Sequence, residues 1–194
     1  MKVTIKKTKR ILDSFFKVDH SILQFEKFDG TLSEEVVRLN LERGDSVAVL
    51  LVNREKNKII LIKQFRFPVY TKEKNNAWTW EIVAGMVDDG HSPEESIIRE
   101  IAEETGYHVS KVDHLFYFYP TPGGSNEKVH LYYAEVNKND KKYSGGGVSA
   151  EGEDILAKEF SYTEAFKMMN SGEIIDAKTI IALMWFRAKV RDWY

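Results

Sequence analysis

The stretch Arg99-Glu100-Ile101-Ala102-Glu103-Glu104-Thr105-Gly106 constrains this chain more than any other. At about 100° per residue, Glu100, Glu103 and Glu104 share one arc of a helix. Like charges three or four residues apart each cost a helix roughly 0.2–0.5 kcal/mol, so carboxylates gathered on one arc invite a compensating cation. Oxygen ligands of this kind suit a hard divalent ion, Mg²⁺ or Mn²⁺; the plainer reading is a solvated acidic face. Local signals delimit the helix. Ser92 and Glu95 form a capping-box pattern, Pro93 falls at the first helical position, and Gly106 sits where a terminating glycine belongs.

At 194 residues the chain suits one domain with a small extension and can bury a real core. A formal net charge of −2 gives no electrostatic case for binding nucleic acid or a membrane surface. No apolar run approaches the ~18 residues of a membrane span, and the first thirteen residues lack the apolar core of a signal peptide. Cysteine is absent, which excludes disulfides and thiolate metal sites and fits a cytoplasmic protein.

The first 44 residues read as short extended runs: Val3-Thr4-Ile5, Phe15-Phe16-Lys17-Val18, Ile22-Leu23-Gln24-Phe25 and Val36-Val37-Arg38-Leu39. Asp29-Gly30 marks a tight turn between the third and fourth. These strands predict an antiparallel β extension (1–44) too small to be stable alone, followed by a main domain (45–194). In that domain, buried strands are expected over 47–52 and 59–63, joined by a polar turn, with further strands over 78–83, 113–119 and 128–136. Residues 137–154 hold almost no apolar side chains, and an irregular stretch of that size suits a lid or binding loop. Helices are expected near 163–170 and over 177–189, the second after an Asp176 N-cap. Strands grouped around helices, without regular alternation, indicate an α+β chain.

From Gly85 through Arg99-Glu100, Glu103-Glu104 and Gly106-Tyr107 the chain resembles the Nudix box, Gx5Ex7REUxEExGU with U apolar. One fixed residue differs: His91 stands where the family has its first Glu. In the family that Glu pairs with the box arginine, here Arg99; a neutral histidine cannot, and Asp88 or Asp89 could take its place. The resemblance extends beyond the box. Glu81-Ile82-Val83-Ala84-Gly85 is similar to the lead-in of ADP-ribose pyrophosphatases, and Thr121-Pro122-Gly123-Gly124-Ser125-Asn126-Glu127 to a loop of the same branch. Gly145-Gly146-Gly147-Val148, Glu151-Gly152-Glu153-Asp154-Ile155 and the run from Gly172 to Thr179 look like the GDP-mannose hydrolases.

The resemblance implies an α/β/α sandwich with a mixed sheet. It also implies hydrolysis of the diphosphate of a nucleotide sugar, of ADP-ribose or GDP-mannose type, and a homodimer built through the amino-terminal extension. By the same resemblance Glu100 and Glu104 are the principal metal ligands, with Glu103 weaker, Glu153 a further ligand and the backbone carbonyl of Ala84 another. Glu151 matches the catalytic base, and Ser125 and Glu127 lie in the substrate loop. Arg66 carries a guanidinium fork shaped for phosphate, and Glu81 is an acid on an otherwise bulky strand; both are candidate substrate contacts. Trp78, Trp80, Phe65 and Phe67 could stack a base or simply fill the core. Two other readings stay open: a scaffold that binds a nucleotide sugar without cleaving it, and a Nudix enzyme for another class of nucleotide.

Overall fold

A computed structural model describes residues 1–148, 150 and 152–191. The chain divides into two compact units, the first made of Met1–Asp45 and Tyr119–Lys128, the second of Ser46–Phe118 and the described residues from Val129 onward.

In the first unit β1 (Val3–Asp13), β2 (Lys17–Phe25) and β3 (Val36–Glu42) form an antiparallel sheet in that order. The runs expected separately around Phe15 and Ile22 belong to a single β2. Phe15 and Phe16 lie in the bend before it, where Ser14 donates its backbone N–H to the Phe16 carbonyl at 3.1 Å. The Asp29-Gly30 turn is present: Gly30 adopts φ +80° and the Asp29 carboxylate accepts from the Thr31 N–H at 2.9 Å. Segment 119–128 joins this unit by backbone pairing, Leu41 N–H donating to the Gly124 carbonyl at 2.8 Å.

The second unit opens with β4 (Ser46–Asn53) and β5 (Lys58–Phe65). A one-turn helix α1 (Phe67–Tyr70), β6 (Trp78–Glu81), β7 (Val83–Met86) and the long helix α2 (Pro93–Thr105) follow. After them come β8 (Asp113–Phe118), β9 (Val129–Glu135), β10 (Leu156–Ser161), α3 (Tyr162–Ser171) and α4 (Ala177–Arg191). The strands make one mixed sheet, β10-β5-β4-β9-β8, in which, among the described residues, only the β4–β9 pairing is parallel. The single strand expected over 78–83 is split at Ile82. β6 pairs with β5, and β7 crosses to the first half of β4. Ile82 leaves the ladder there, and its N–H is satisfied by the Thr179 hydroxyl at 2.8 Å.

β4 is apolar at every position from Val47 to Val52 because it is covered on both faces. Leu50, Val52, Ile59 and Leu61 pack against Met168 of α3 and Leu183 and Phe186 of α4; Val49, Leu51, Ile60 and Ile62 pack against Ile97 and Ile101 of α2. Helices on both faces of a mixed sheet give the α/β/α sandwich. No helix among the described residues is long and apolar enough to cross a membrane.

Candidate active site

Helix α2 is fixed at both ends by its own sequence. Ser92 and Glu95 complete a reciprocal capping box, and Gly106 ends the helix at φ +72°. Its inner face must bury Ile97 and Ile101, and this carries Glu100 and Glu104 inward with them. Glu104 is 1% exposed. Glu100 reaches the box glycine so closely that a β-carbon on Gly85 would lie 2.1 Å from its Oε1. Only glycine leaves room for that carboxylate.

Burial pushes Glu100 up to about 7, with Glu103 and Glu153 adding repulsion and Arg99 opposing it. Burial also holds Glu104 well above the usual carboxylate range, reinforced by Glu100 and Glu153 against a backbone hydrogen bond from Ala84. One Glu104 carboxylate oxygen has no hydrogen-bond partner among the described residues. Two acids that repel one another, Glu100 mostly covered and Glu104 fully buried with an orphaned oxygen, form a donor set that fits a hard divalent cation. Arg99 serves as the counter-charge of Glu100. Its guanidinium contacts Glu100 Oε1 at 2.8 Å, Glu103, and Asp88 Oδ2 at 2.7 Å.

The other proposed ligands are less converged. Glu103 is held by Arg99, and Ala84 pairs with Ala48 in the ladder of β4 and β7. The Glu153 carboxylate accepts from the Val148 N–H at 2.9 Å, yet lies near enough to raise both Glu100 and Glu104. Glu151 lies outside the described residues. Among those described, no three His, Asp or Glu side chains form a finished cation cage. The expected loop is anchored directly to α2: Gly146 and Gly147 donate their N–H groups to the Glu104 and Glu103 carbonyls, each at 3.1 Å. A β-carbon on Gly145 would meet the Glu104 carbonyl at 2.4 Å, so this approach also requires glycine.

A cationic cluster lies on the same sheet face as α2. Glu81 pairs in register with Ile62 and is 2% exposed. It accepts from Arg66 Nε at 2.8 Å and Nη2 at 2.7 Å, from the Thr79 hydroxyl, and from Lys178. Burial acts to raise its pKa, but the Arg66 hydrogen bonds and the nearby charges of Lys178 and Arg66 prevail and bring it down to about 2. Arg66 and Glu104 influence each other electrostatically, so the two clusters adjoin. Lys178 was not singled out by the sequence, although the Asp176 cap that positions it was: Asp176 accepts from Thr179 N–H and from Lys178, each at 2.9 Å. Gln64 was missed too; it is buried beside Thr79 with its amide nitrogen unpartnered among the described residues.

Ser125 and Glu127 belong to the first unit. The Ser125 hydroxyl donates to the Leu41 carbonyl at 2.9 Å, and Glu127 lies 3.4 Å from Arg43. Of the aromatics, Trp80 is core, edge-on to Phe160 at 4.9 Å, whereas Phe65, Phe67 and Trp78 are exposed.

A sheet clad by helices, with Glu100 and Glu104 drawn against the glycine-bearing strand β7, is a scaffold suited to holding a cation beside a cluster of basic side chains. Residues 42–182 match the NUDIX domain, and the chain belongs to that family. Among its relatives, a GDP-mannose pyrophosphatase of Pectobacterium atrosepticum is 38% identical over 192 residues, covering 99% of this chain and 96% of that protein. GDP-mannose pyrophosphatases of Shigella flexneri and Escherichia coli are each 35% identical over 188 residues, 95% of either chain. A crystal structure of an ADP compounds hydrolase superposes with a TM-score of 0.75 at 19% identity, covering all of this chain and 96% of the other, a likeness of fold.

Proposed function

We propose that this chain is a metal-dependent pyrophosphatase that hydrolyses a nucleoside-diphosphate sugar to a nucleoside monophosphate and a sugar phosphate, with GDP-mannose as its substrate. The observation that carries this reading is the Glu100–Glu104 pair, with the orphaned oxygen of buried Glu104, next to the Arg66–Glu81–Lys178 cluster. One cluster suits a cation and the other suits phosphate oxygens, as a diphosphate with its counter-ion demands. The preference for GDP-mannose is supported by the relatives at 35–38% identity, which match almost end to end.

Glu100 and Glu104 would hold Mg²⁺, joined by Glu153, the Ala84 carbonyl and, more weakly, Glu103. The bound ion would neutralise phosphate oxygens and polarise phosphorus. Arg66 and Lys178 grip the diphosphate, and Glu81 keeps both cations charged and aimed. Glu151 takes the proton from the water that attacks phosphorus, while the bridging oxygen leaves with the other phosphate. Ser125 and Glu127 are the substrate-loop residues that the family resemblance assigns, and the exposed apolar side chains of the first unit, Val37 and Leu39 among them, are covered by a second copy of the chain. The protein works in the cytoplasm.

The test is a panel of GDP-mannose, ADP-ribose, UDP-glucose, dinucleoside polyphosphates and nucleoside triphosphates, incubated with Mg²⁺ and resolved by anion-exchange chromatography. GMP and mannose 1-phosphate should be the fastest-formed products. Cleavage of triphosphates alone, or of nothing, would overturn the reading.

A further inference from the structure

The departure at position 91 has a structural answer. His91 is exposed, and the charge it influences is Glu95 of the capping box. Arg99 instead turns to Asp88, which accepts from Nε at 3.0 Å and from Nη2 at 2.7 Å on the same oxygen, Oδ2. Asp88 reaches that position because the chain reverses between it and the helix. The His91 N–H donates to the Asp88 carbonyl at 3.1 Å, Gly90 takes φ +81°, and the Asp88 N–H is held by the Ser96 hydroxyl at 3.2 Å. A carboxylate three residues earlier thus meets the guanidinium from the loop side.

We infer that Asp88 is a positioning residue that stands in for the carboxylate absent at position 91, holding Arg99 to the loop so that Glu100 is free to take a cation. This rests on Glu100 and Glu104 being the cation site. Arg99 has three carboxylate neighbours, Asp88, Glu100 and Glu103, and two of them belong to the helix face that a cation needs. Without Asp88 the guanidinium has only those two, and an incoming ion must displace it from both. With Asp88, Arg99 keeps a charged partner when Glu100 lets go. Among the described residues Asp89 makes no such contact with Arg99.

The test measures Mn²⁺ binding by electron paramagnetic resonance, with thermal unfolding in EDTA alongside. Supporting carboxylates behind metal ligands are typically worth about 10–100-fold in affinity, and Asp88→Ala should weaken binding by that order. Asp89→Ala should leave it unchanged. Adding His91→Glu to Asp88→Ala should restore most of the lost affinity, because it returns the carboxylate from its alternative position; a purely structural loss at residue 88 would not respond to a change at residue 91. Unchanged Mn²⁺ binding in Asp88→Ala, while Glu104→Gln abolishes it, would overturn the role of Asp88 and leave the cation site standing. Weakened binding that His91→Glu fails to restore would overturn the substitution argument. Full Mn²⁺ binding in Glu104→Gln would overturn the cation site, and the inference with it.

Discussion

Gly85→Ala separates the needs of the fold from those of the site. Gly85 lies in β7 with ordinary extended φ, so an alanine backbone fits there without strain. The added carbon would lie 2.1 Å from Glu100 Oε1, 2.2 Å from Cδ and 2.7 Å from Cγ. Comfortable non-bonded contact begins at about 3.5 Å, so the carboxylate must retreat by more than about 1 Å. It is the far end of a flexible side chain and can do so. The cost of crowding, typically about 1–3 kcal/mol, is partly offset by the ~0.4–1 kcal/mol that alanine gains by restricting the unfolded chain. The variant should therefore fold with a modestly altered melting temperature.

Activity should respond differently. A misplacement of about 1 Å in a catalytic group costs on the order of a hundredfold, and here the displaced group is a proposed metal ligand. Steady-state hydrolysis over a magnesium titration should show roughly that loss in kcat/KM, with part of it returning at high metal. Removing the acid tests the cause. Against a Glu100→Ala background the same alanine should cost much less, because the Cγ, Cδ and Oε1 atoms that the new methyl group would crowd are gone; the coupling is read from the double-mutant cycle. A Gly85→Ala enzyme with wild-type turnover at low magnesium would show that Glu100 has no need of its position against β7.

Glu151→Gln should lower kcat by about 10²–10⁴-fold with KM little changed and no response to added metal, whereas the Glu153→Gln defect should shrink as magnesium rises; the opposite pattern in initial-rate assays would exchange their roles. Glu81 predicts a pH effect. Its folded-state pKa of about 2 lies below the ordinary 4.5, so the stability it contributes is complete above pH 4.5 and is lost as pH falls through about 2. That shift corresponds to roughly 3 kcal/mol. Denaturation midpoints of Glu81→Gln should lie below wild type at pH 7 and converge with it near pH 2, and parallel curves would refute the assignment. Sedimentation of the intact chain should give a dimer that Val37→Glu with Leu39→Glu dissociates, since both side chains stand more than half exposed on one face of β3, at 52% and 54%.

How much was legible depended on whether the signal was local. Helix α2 was readable from cap to cap because Ser92, Pro93, Glu95 and Gly106 act on their own neighbours. The glutamate spacing was equally plain, because it needs only the helical repeat. The same holds for the Asp29-Gly30 turn and for the Asp176 cap of α4. Strand limits failed where pairing partners decide them. Nothing near Ile82 signals that β6 and β7 take different neighbours; the group that satisfies its N–H at the crossing is a hydroxyl ninety-seven positions away on Thr179. The joining of 119–128 to the first unit is likewise set by Leu41, far off in sequence. Lys178 went unnoticed because a lysine after an N-cap is commonplace until Glu81 is placed beside it.

Glu81 and Glu104 are buried acids and Glu100 is mostly covered, and their opposite shifts organise the site. Desolvation acts on each in the same direction, towards the neutral acid. For Glu81 two cations overcome it, so that carboxylate stays charged and its partners remain fixed. For Glu100 and Glu104 the neighbours are mostly acidic, and Arg99 is only a partial counterweight for Glu100. A divalent ion reverses that balance, because it adds at the helix the positive charge that Glu81 already receives from Arg66 and Lys178. A diphosphate placed between the clusters would then meet positive charge from both sides, where before the helix side was repulsive. Metal and substrate should therefore bind cooperatively, each removing a charge conflict that hinders the other.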